Sequence, residues 1–442
     1  MSDGGKLGVM ENRPNMAPVG AATPSTATSA TAPVMPDGAM TTPSNKHLQI
    51  KVRNPRDLFS ILPYALGYQP EESILVICLR EQGGLGMIAR TSLVDLEDNK
   101  CCVELSKMVA HSAAADNTGR AFVVVYCRAT DEFTLHGYKK QAKQFAHALK
   151  PIPVETWIIN SEVFYRIDCE EHGCCPPGGF PVSDLAETEA SAALVYRGYA
   201  PSRNRDDYLR LPQPAPGNVE AANLAASRFA SEKRRNTAPI TWRQKAFITW
   251  QNAVELTAQD KAIPPKVLGV LGAALTDTTM RDAVLLSCLP DGAITANEII
   301  ENAKAAHQTA ADLMARVVGD DELVPIAPDH QLIRNAAIVL EAVAAHATEL
   351  RQPGPLTLLA FLAWWGGDGT RANARVRQAL AITKDYQLAS TLAAAIENRL
   401  LPGWIRQRGS SGSGASGRGA SAPLAVGAAS GEAKPAPAQA AA

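Results

Sequence analysis

The sequence predicts an α/β domain followed by an all-helical domain, set between two tails that carry almost no large apolar side chains. Three observations lead to this. Short apolar strands alternate with amphipathic helices between Leu48 and Ile167, strand patterning stops past Asp184, and helix succeeds helix beyond a proline-rich stretch at 212–217. The expected layout is a tail over 1–46, an α/β domain over 47–210, a helical domain over 218–405 and a tail over 409–442. Both tails are rich in Pro, Ala, Ser, Thr and Gly. They lack the apolar surface needed to offset the entropy of ordering, so they are expected to be disordered.

The first strand is Leu48-Gln49-Ile50-Lys51-Val52, by alternation. Asn54 and Pro55 then supply a cap and a proline at the first helical position. Leu58, Phe59, Ile61, Leu62, Ala65 and Leu66 form the buried face of this helix, and Gly67 stops it. Ser73 to Leu79 is a nearly continuous apolar run, the mark of an interior strand, and a glycine turn at 83–86 returns the chain into a strand over Met87 to Leu93. A helix with Cys101, Leu105, Met108 and Ser112 on one face follows, then a buried strand from Ala121 to Cys127.

Asp131 to Leu149 has the cleanest helical period, with Leu135, Tyr138, Ala142, Phe145 and Leu149 inward and Lys139, Lys140 and Lys143 outward. Val154 to Asn160 and Val163 to Ile167 read as a hairpin, so the sheet is expected to be mixed. Asp184 with Glu187 resembles a capping box for a helix that Gly198 ends. In the helical domain, Thr241 and Asp277 are expected caps, and Thr295 with Glu298 a capping box. The last helices, Pro355 to Trp365, a Gly366-Gly367-Asp368-Gly369 turn, Ala372 to Leu380 and Leu388 to Leu400, resemble one tetratricopeptide-like unit with a cap.

The formal charge of −1 offers no overall attraction to nucleic acid or to an anionic membrane. The one basic cluster is Lys233-Arg234-Arg235 with Arg228, Arg243 and Lys245. The nearby Trp242 and Trp250 fall on an apolar stripe with Phe247 and Val254, which favours core packing over a nucleic-acid surface. The N-terminus has no charged-then-apolar leader, and no apolar run reaches the roughly 20 residues of a membrane helix. These features predict a cytoplasmic protein, whose eight cysteines would be thiols or ligands rather than a disulfide framework.

Chemistry concentrates in Cys169-Glu170-Glu171-His172-Gly173-Cys174-Cys175-Pro176-Pro177-Gly178-Gly179, just after the last strand of the α/β domain. Thiolate and imidazole donors are those zinc selects, and Cys169, His172 and Cys174 or Cys175 are the candidate ligands, with a fourth from elsewhere or from water. His111 and His136 are candidates for that fourth position. The same residues admit a redox pair, a Cys174 or Cys175 nucleophile with His172 as base, or a rigid turn whose thiols simply pack. Cys78, Cys127 and Cys288 lie in apolar segments and Cys101 and Cys102 on or beside a buried helix face, so these read as core. The Gly83-Gly84-Leu85-Gly86 turn precedes no helix and is not a phosphate cradle. Gly366-Gly367-Asp368-Gly369 reads as a helix–helix turn with Asp368 near the next N-terminus.

Three separated motifs carry a family resemblance: the run from Pro63-Tyr64-Ala65-Leu66-Gly67-Tyr68-Gln69-Pro70 to Glu71-Glu72-Ser73-Ile74-Leu75-Val76, the Cys174-Cys175-Pro176-Pro177 turn, and Gly367-Asp368-Gly369 with Ala379-Leu380. Over residues 48–403 the chain resembles the actinobacterial domain-of-unknown-function family 4192. The family pattern often has another residue where His172 stands, which leaves the three cysteines as the stronger ligand candidates. The resemblance implies an intracellular bacterial protein and brings no activity, substrate or catalytic residue with it. The function therefore stays open between three readings. The first is a binding or regulatory protein with a thiol-rich, zinc-competent loop and a helical domain that docks a protein partner. The others are a hydrolase or transferase with its site at the cysteine loop, and a purely structural interaction module.

Overall fold

The computed structural model describes residues 49–81, 84–167, 169, 176, 178–235, 239–319, 322–398, 400–410 and 425–428. The sheet-bearing part contains β1 (Gln49–Val52), α1 (Pro55–Leu66), β2 (Ser73–Arg80), β3 (Leu85–Ser92), α2 (Asn99–Ala115), β4 (Thr118–Tyr126), α3 (Glu132–Ala148), β5 (Val154–Ile159), β6 (Val163–Arg166), β7 (Phe180–Pro181) and α4 (Glu189–Tyr196). Six of these strands form one sheet in the order β3-β2-β4-β5-β6-β7. Only β4 and β5 run parallel, joined by α3; every other neighbouring pair is antiparallel. This is the mixed sheet expected from the sequence.

Alternation along the strands builds two cores. Leu75, Ile77, Phe122, Val124, Trp157 and Ile159 face α1 and α4, whereas Ile74, Val76, Val123, Val125 and Ile158 face α2 and α3. Helix α1 begins as expected, with Asn54 Oδ1 accepting from Asp57 N at 2.9 Å and Pro55 in the first turn, and it ends where Gly67 turns left-handed at φ 82°. The buried face of α2 is displaced from the expected one. Cys102, Ser106 and Ala113 point inward and Met108 is 43% exposed, because the small Ser106 and Ala113 let the helix lie close to its neighbours. The cap of α4 is Thr188, which accepts from Ser191 N at 3.0 Å, in place of the Asp184–Glu187 box; Val182–Leu185 forms a separate 3-10 turn.

The helical part follows through α5 (Arg205–Leu209), α6 (Pro216–Arg235), α7 (Pro239–Ala258), α8 (Pro265–Ala274), α9 (Thr278–Ser287), α10 (Gly292–Val318), α11 (His330–His346), α12 (Pro353–Trp365), α13 (Gly369–Ile382), α14 (Gln387–Glu397) and α15 (Gly403–Ser410). Helix α6 starts inside the stretch expected to be a linker. Helix α7 opens at Pro239, two residues before the expected Thr241 cap. Helix α10 opens at Gly292, not at Thr295, which is buried within it. A Cβ on Gly292 would fall 2.0 Å from the Leu286 carbonyl, so the tight join to α9 sets that start. Asp277 caps α9 as expected, accepting from Met280 N at 3.0 Å.

Trp242, Phe247, Trp250, Phe361 and Trp365 fill the helical core. The buried indole N–H groups find acceptors: Trp242 on Phe229 O at 3.0 Å and Trp365 on Ile326 O at 3.2 Å. The basic cluster is partly neutralised. Lys233 and Arg243 both bind the buried Asp277, at 2.7 and 3.0 Å, and Lys245 pairs with Glu232 at 3.0 Å. Burial alone would raise the Asp277 carboxyl, but hydrogen bonds from Arg243, Lys233 and Met280 N outweigh it and hold the group below the usual range. Of the tails, only 409–410, within α15, and β8 (Ala425–Ala428), which pairs in parallel with β1, fall among the described residues.

The described residues all belong to one compact unit, and a strap through α5 ties sheet to helices. Ser202 brackets Tyr68, donating to Gly67 O at 2.8 Å and accepting from Gln69 N at 2.9 Å. Tyr208 then lies against the Tyr68 ring at 5.4 Å, with the Arg371 guanidinium 4.1 Å over its other neighbourhood, and donates its hydroxyl to Asp368 Oδ2 at 2.6 Å. Burial, reinforced by the Asp368 carboxylate, pushes the Tyr208 hydroxyl well above its ordinary range, so it remains a donor. Asp368 also caps α13 through Arg371 N at 2.9 Å. Replacing Tyr208 by Phe keeps the ring and deletes one charge-assisted bond. It should lower stability by about 2 kcal/mol, read as a shift in urea midpoint at unchanged slope. A loss below about 0.5 kcal/mol would show that the tie carries no weight.

Candidate functional site

The parallel pair decides where a site can form. Beyond the carboxyl ends of β4 and β5, the chain leaves in different directions and opens a cleft of about 440 Å³. Tyr126, Cys127 and Arg128 enter it from the end of β4, and Ile159, Asn160 and Ser161 from the end of β5. One wall is the face of α1 bearing Phe59, Ser60, Pro63 and Tyr64; the Gln69–Glu72 segment, the 3-10 turn at Val182–Leu185 and Ser191 in the first turn of α4 complete it. Because β2 is antiparallel to β4, with Ser73 opposite Tyr126, the α1–β2 connection is delivered to this end of the sheet.

The rim is held under strain. Glu72 has φ 39°, a left-handed conformation that costs a non-glycine residue about 1 kcal/mol or more. Bonds on both sides impose it: Leu93 N donates to Glu72 O at 2.9 Å, and Arg128 N donates to Glu72 Oε1 at 2.8 Å. The Arg128 guanidinium meets Glu71 Oε2 at 2.6 Å. On the α1 side, Thr188 Oγ1 donates to Ser60 Oγ at 2.7 Å, and Ser60 Oγ donates to Asp57 O at 2.7 Å. Asn160 Oδ1 accepts from both Glu162 N and Val163 N, at 2.9 and 2.7 Å, which fixes the amide orientation and turns its NH2 group outward from that turn.

Eight buried side-chain atoms among the described residues have no hydrogen-bond partner, and one of them, the Tyr126 hydroxyl, belongs to a residue of the cleft lining. Tyr126 is 8% exposed and its hydroxyl is shut off from solvent. Burial pushes this hydroxyl far above its ordinary range, and it pushes the Cys127 thiol up to about 11, with Glu72 adding to the shift. Both groups are therefore neutral at physiological pH and are not primed as nucleophiles.

The sequence placed chemistry elsewhere, on the turn between β6 and β7. Of its candidate ligands, Cys169 is half-buried after the end of β6, while His172, Cys174 and Cys175 lie outside the described residues. Arg166 sits opposite Trp157, the fourth of the six residues of β5, so β6 ends near the middle of that strand. The amino end of β5 has its own shallow hollow, lined by Gly119, Arg120, Pro153, Val154, Glu155 and Arg166, with Glu155 bonded to Arg120 and to Trp157 Nε1. His111 and His136 are exposed on α2 and α3. Among the described residues, no three His, Cys, Asp or Glu side chains are grouped to hold a metal. Cys78, Cys102 and Cys288 are buried, and burial raises their thiols, to about 11 for Cys78 and about 12 for Cys288, in keeping with a packing role.

Fold and cleft together define a layered α/β protein with a helical C-terminal region and a ligand-sized crevice at the carboxyl ends of its parallel strands. The chain belongs to the family described as Domain of unknown function (DUF4192), whose model matches residues 55–403. No curated protein and no solved structure matches it. No helix among the described residues is long and apolar enough to cross a membrane.

An unpartnered buried hydroxyl contributes nothing to the empty protein. Tyr126→Phe should thus leave stability unchanged or raise it by up to about 1 kcal/mol, measured by urea unfolding. A drop of more than about 1 kcal/mol would mean that the hydroxyl has a partner inside the fold.

Proposed function

We propose that this is a binding protein whose α/β part takes a small organic molecule in the β4/β5 cleft. The observation that carries the reading is the crevice itself, which opens at the carboxyl ends of the parallel strands and is lined by aromatic, hydroxyl and amide residues. Binding is favoured over catalysis because the described lining has neither histidine nor lysine, and its thiol and phenol are held neutral. A helical region joined to the cleft's own loop suits docking of a protein partner, in the cytoplasm of a bacterium of actinobacterial type. A small-fragment screen by ligand-observed NMR tests the cleft. Fragments that bind the wild type should lose at least about tenfold in affinity in Ser161→Trp, which fills the exposed rim. Binders indifferent to that change, or no binders, would overturn the reading.

Zinc at Cys169, His172, Cys174 and Cys175 is a second proposal, resting on the donor set alone. Metal analysis of the purified chain should give close to one zinc per molecule, lost when Cys169, Cys174 and Cys175 are all changed to Ser. Sub-stoichiometric metal in both proteins would remove it.

A further inference from the structure

The charge arrangement of the cleft says what kind of molecule it accepts. At the carboxyl ends of parallel strands, an anionic ligand is usually received by backbone N–H groups and helix N-termini. Here those donors are taken. Cys127 N donates to Ile159 O at 3.1 Å and Asn160 N to Val163 O at 3.0 Å. Arg128 N is covered by the Glu72 carboxylate. The N-terminus of α3 is capped by Asp131 through Thr134 N at 2.8 Å, and that of α4 by Thr188. Two of these five partners are carboxylates, those of Glu72 and Asp131, and Glu72 belongs to the cleft lining.

The charged side chains of the lining are Glu71, Glu72 and Arg128. Arg128 is matched to Glu71, so the balance is one surplus negative charge, that of Glu72. Its Oε1 is bonded to a neutral N–H, and Oε2 has no bonded partner among the described residues. The left-handed backbone at residue 72 holds this carboxylate in place at a conformational cost. The half-buried Tyr64 shares the lining with it, and the face of a phenol ring attracts cations.

We propose that the cleft selects a small organic ammonium ion, with Glu72 as its counter-charge and Tyr64 on its wall. The proposal rests on the cleft being a ligand site and adds the sign of the charge.

Three probes of matched size test it on the full chain by isothermal titration: choline, the uncharged choline isostere with carbon in place of nitrogen, and pivalate. Choline should bind at least about tenfold tighter than the isostere, pivalate should not bind, and the preference should vanish in Glu72→Gln. Glutamine retains an oxygen for Arg128 N, so the variant is expected to fold; its urea midpoint checks this. Should it not fold, the wild type decides through salt, because choline affinity must fall with ionic strength while that of the isostere does not. Equal binding of isostere and choline, or tighter binding of pivalate, overturns the charge selection and leaves the cleft as a ligand site. Binding by none of the three overturns the charge selection too, while the fragment screen on Ser161→Trp judges the cleft separately.

Discussion

The hydroxyl of Tyr208 on Asp368 is the contact on which the arrangement of this molecule turns. Asp368 cannot move without uncapping α13, and Tyr208 cannot move without losing its seat between Tyr68 and Arg371. The seat explains Gly67. Even apart from its φ of 82°, a Cβ there would lie 2.5 Å from the Tyr208 ring, so the residue that ends α1 must also make room for the strap. Tyr68 in turn begins the segment whose later residues, Gln69 to Glu72, form the cleft. Seam and cleft are thus consecutive stretches of one short connection.

That connection is stabilised by polar groups at low solvent exposure, and the molecule accepts the desolvation this entails. Arg375, one turn after Arg371 on α13, is 1% exposed; it bonds Gln378 Oε1 at 2.9 Å and has Glu341 at 3.8 Å, with Nη2 unbonded. Burial accordingly pulls its guanidinium below the ordinary range. A buried ion pair of this kind adds little net stability compared with an apolar replacement, but it penalises any packing that would separate the partners. The apolar cores make the layers; the Arg375–Glu341 pair sets α13 against α11, and the Tyr208 bond fixes how α13 meets the strap.

Periodicity made most of the fold legible. Apolar runs such as Ser73–Leu79 and the helix from Asp131 to Leu149 state their burial directly, and caps with a sequence-adjacent acceptor, Asn54, Asp277 and Asp368, were readable for the same reason. The misplaced starts of α4 and α10 have different causes: Thr188, not Asp184, holds the cap bond to Ser191 N, and the close approach of Gly292 to Leu286 sets the start of α10. The cleft was not legible. Tyr126, Asn160, Ser60 and Glu72 are far apart along the chain, and only the parallel β4–β5 pairing brings them together. The Pro63–Val76 run was conspicuous in the sequence, but nothing local shows that half of it lines a cavity.

The cysteine cluster drew the eye because its donors are contiguous, whereas the cleft is assembled from five separate segments. Arg166, the last residue of β6, pairs with Trp157, the fourth of the six residues of β5, while the cleft opens past Ile159 at the carboxyl end of that strand. Of the candidate ligands, Cys169 alone is among the described residues. An occupant of the cleft would reach the helical region through the Gln69–Glu72 segment, Tyr68 and the contact of Tyr68 with Tyr208.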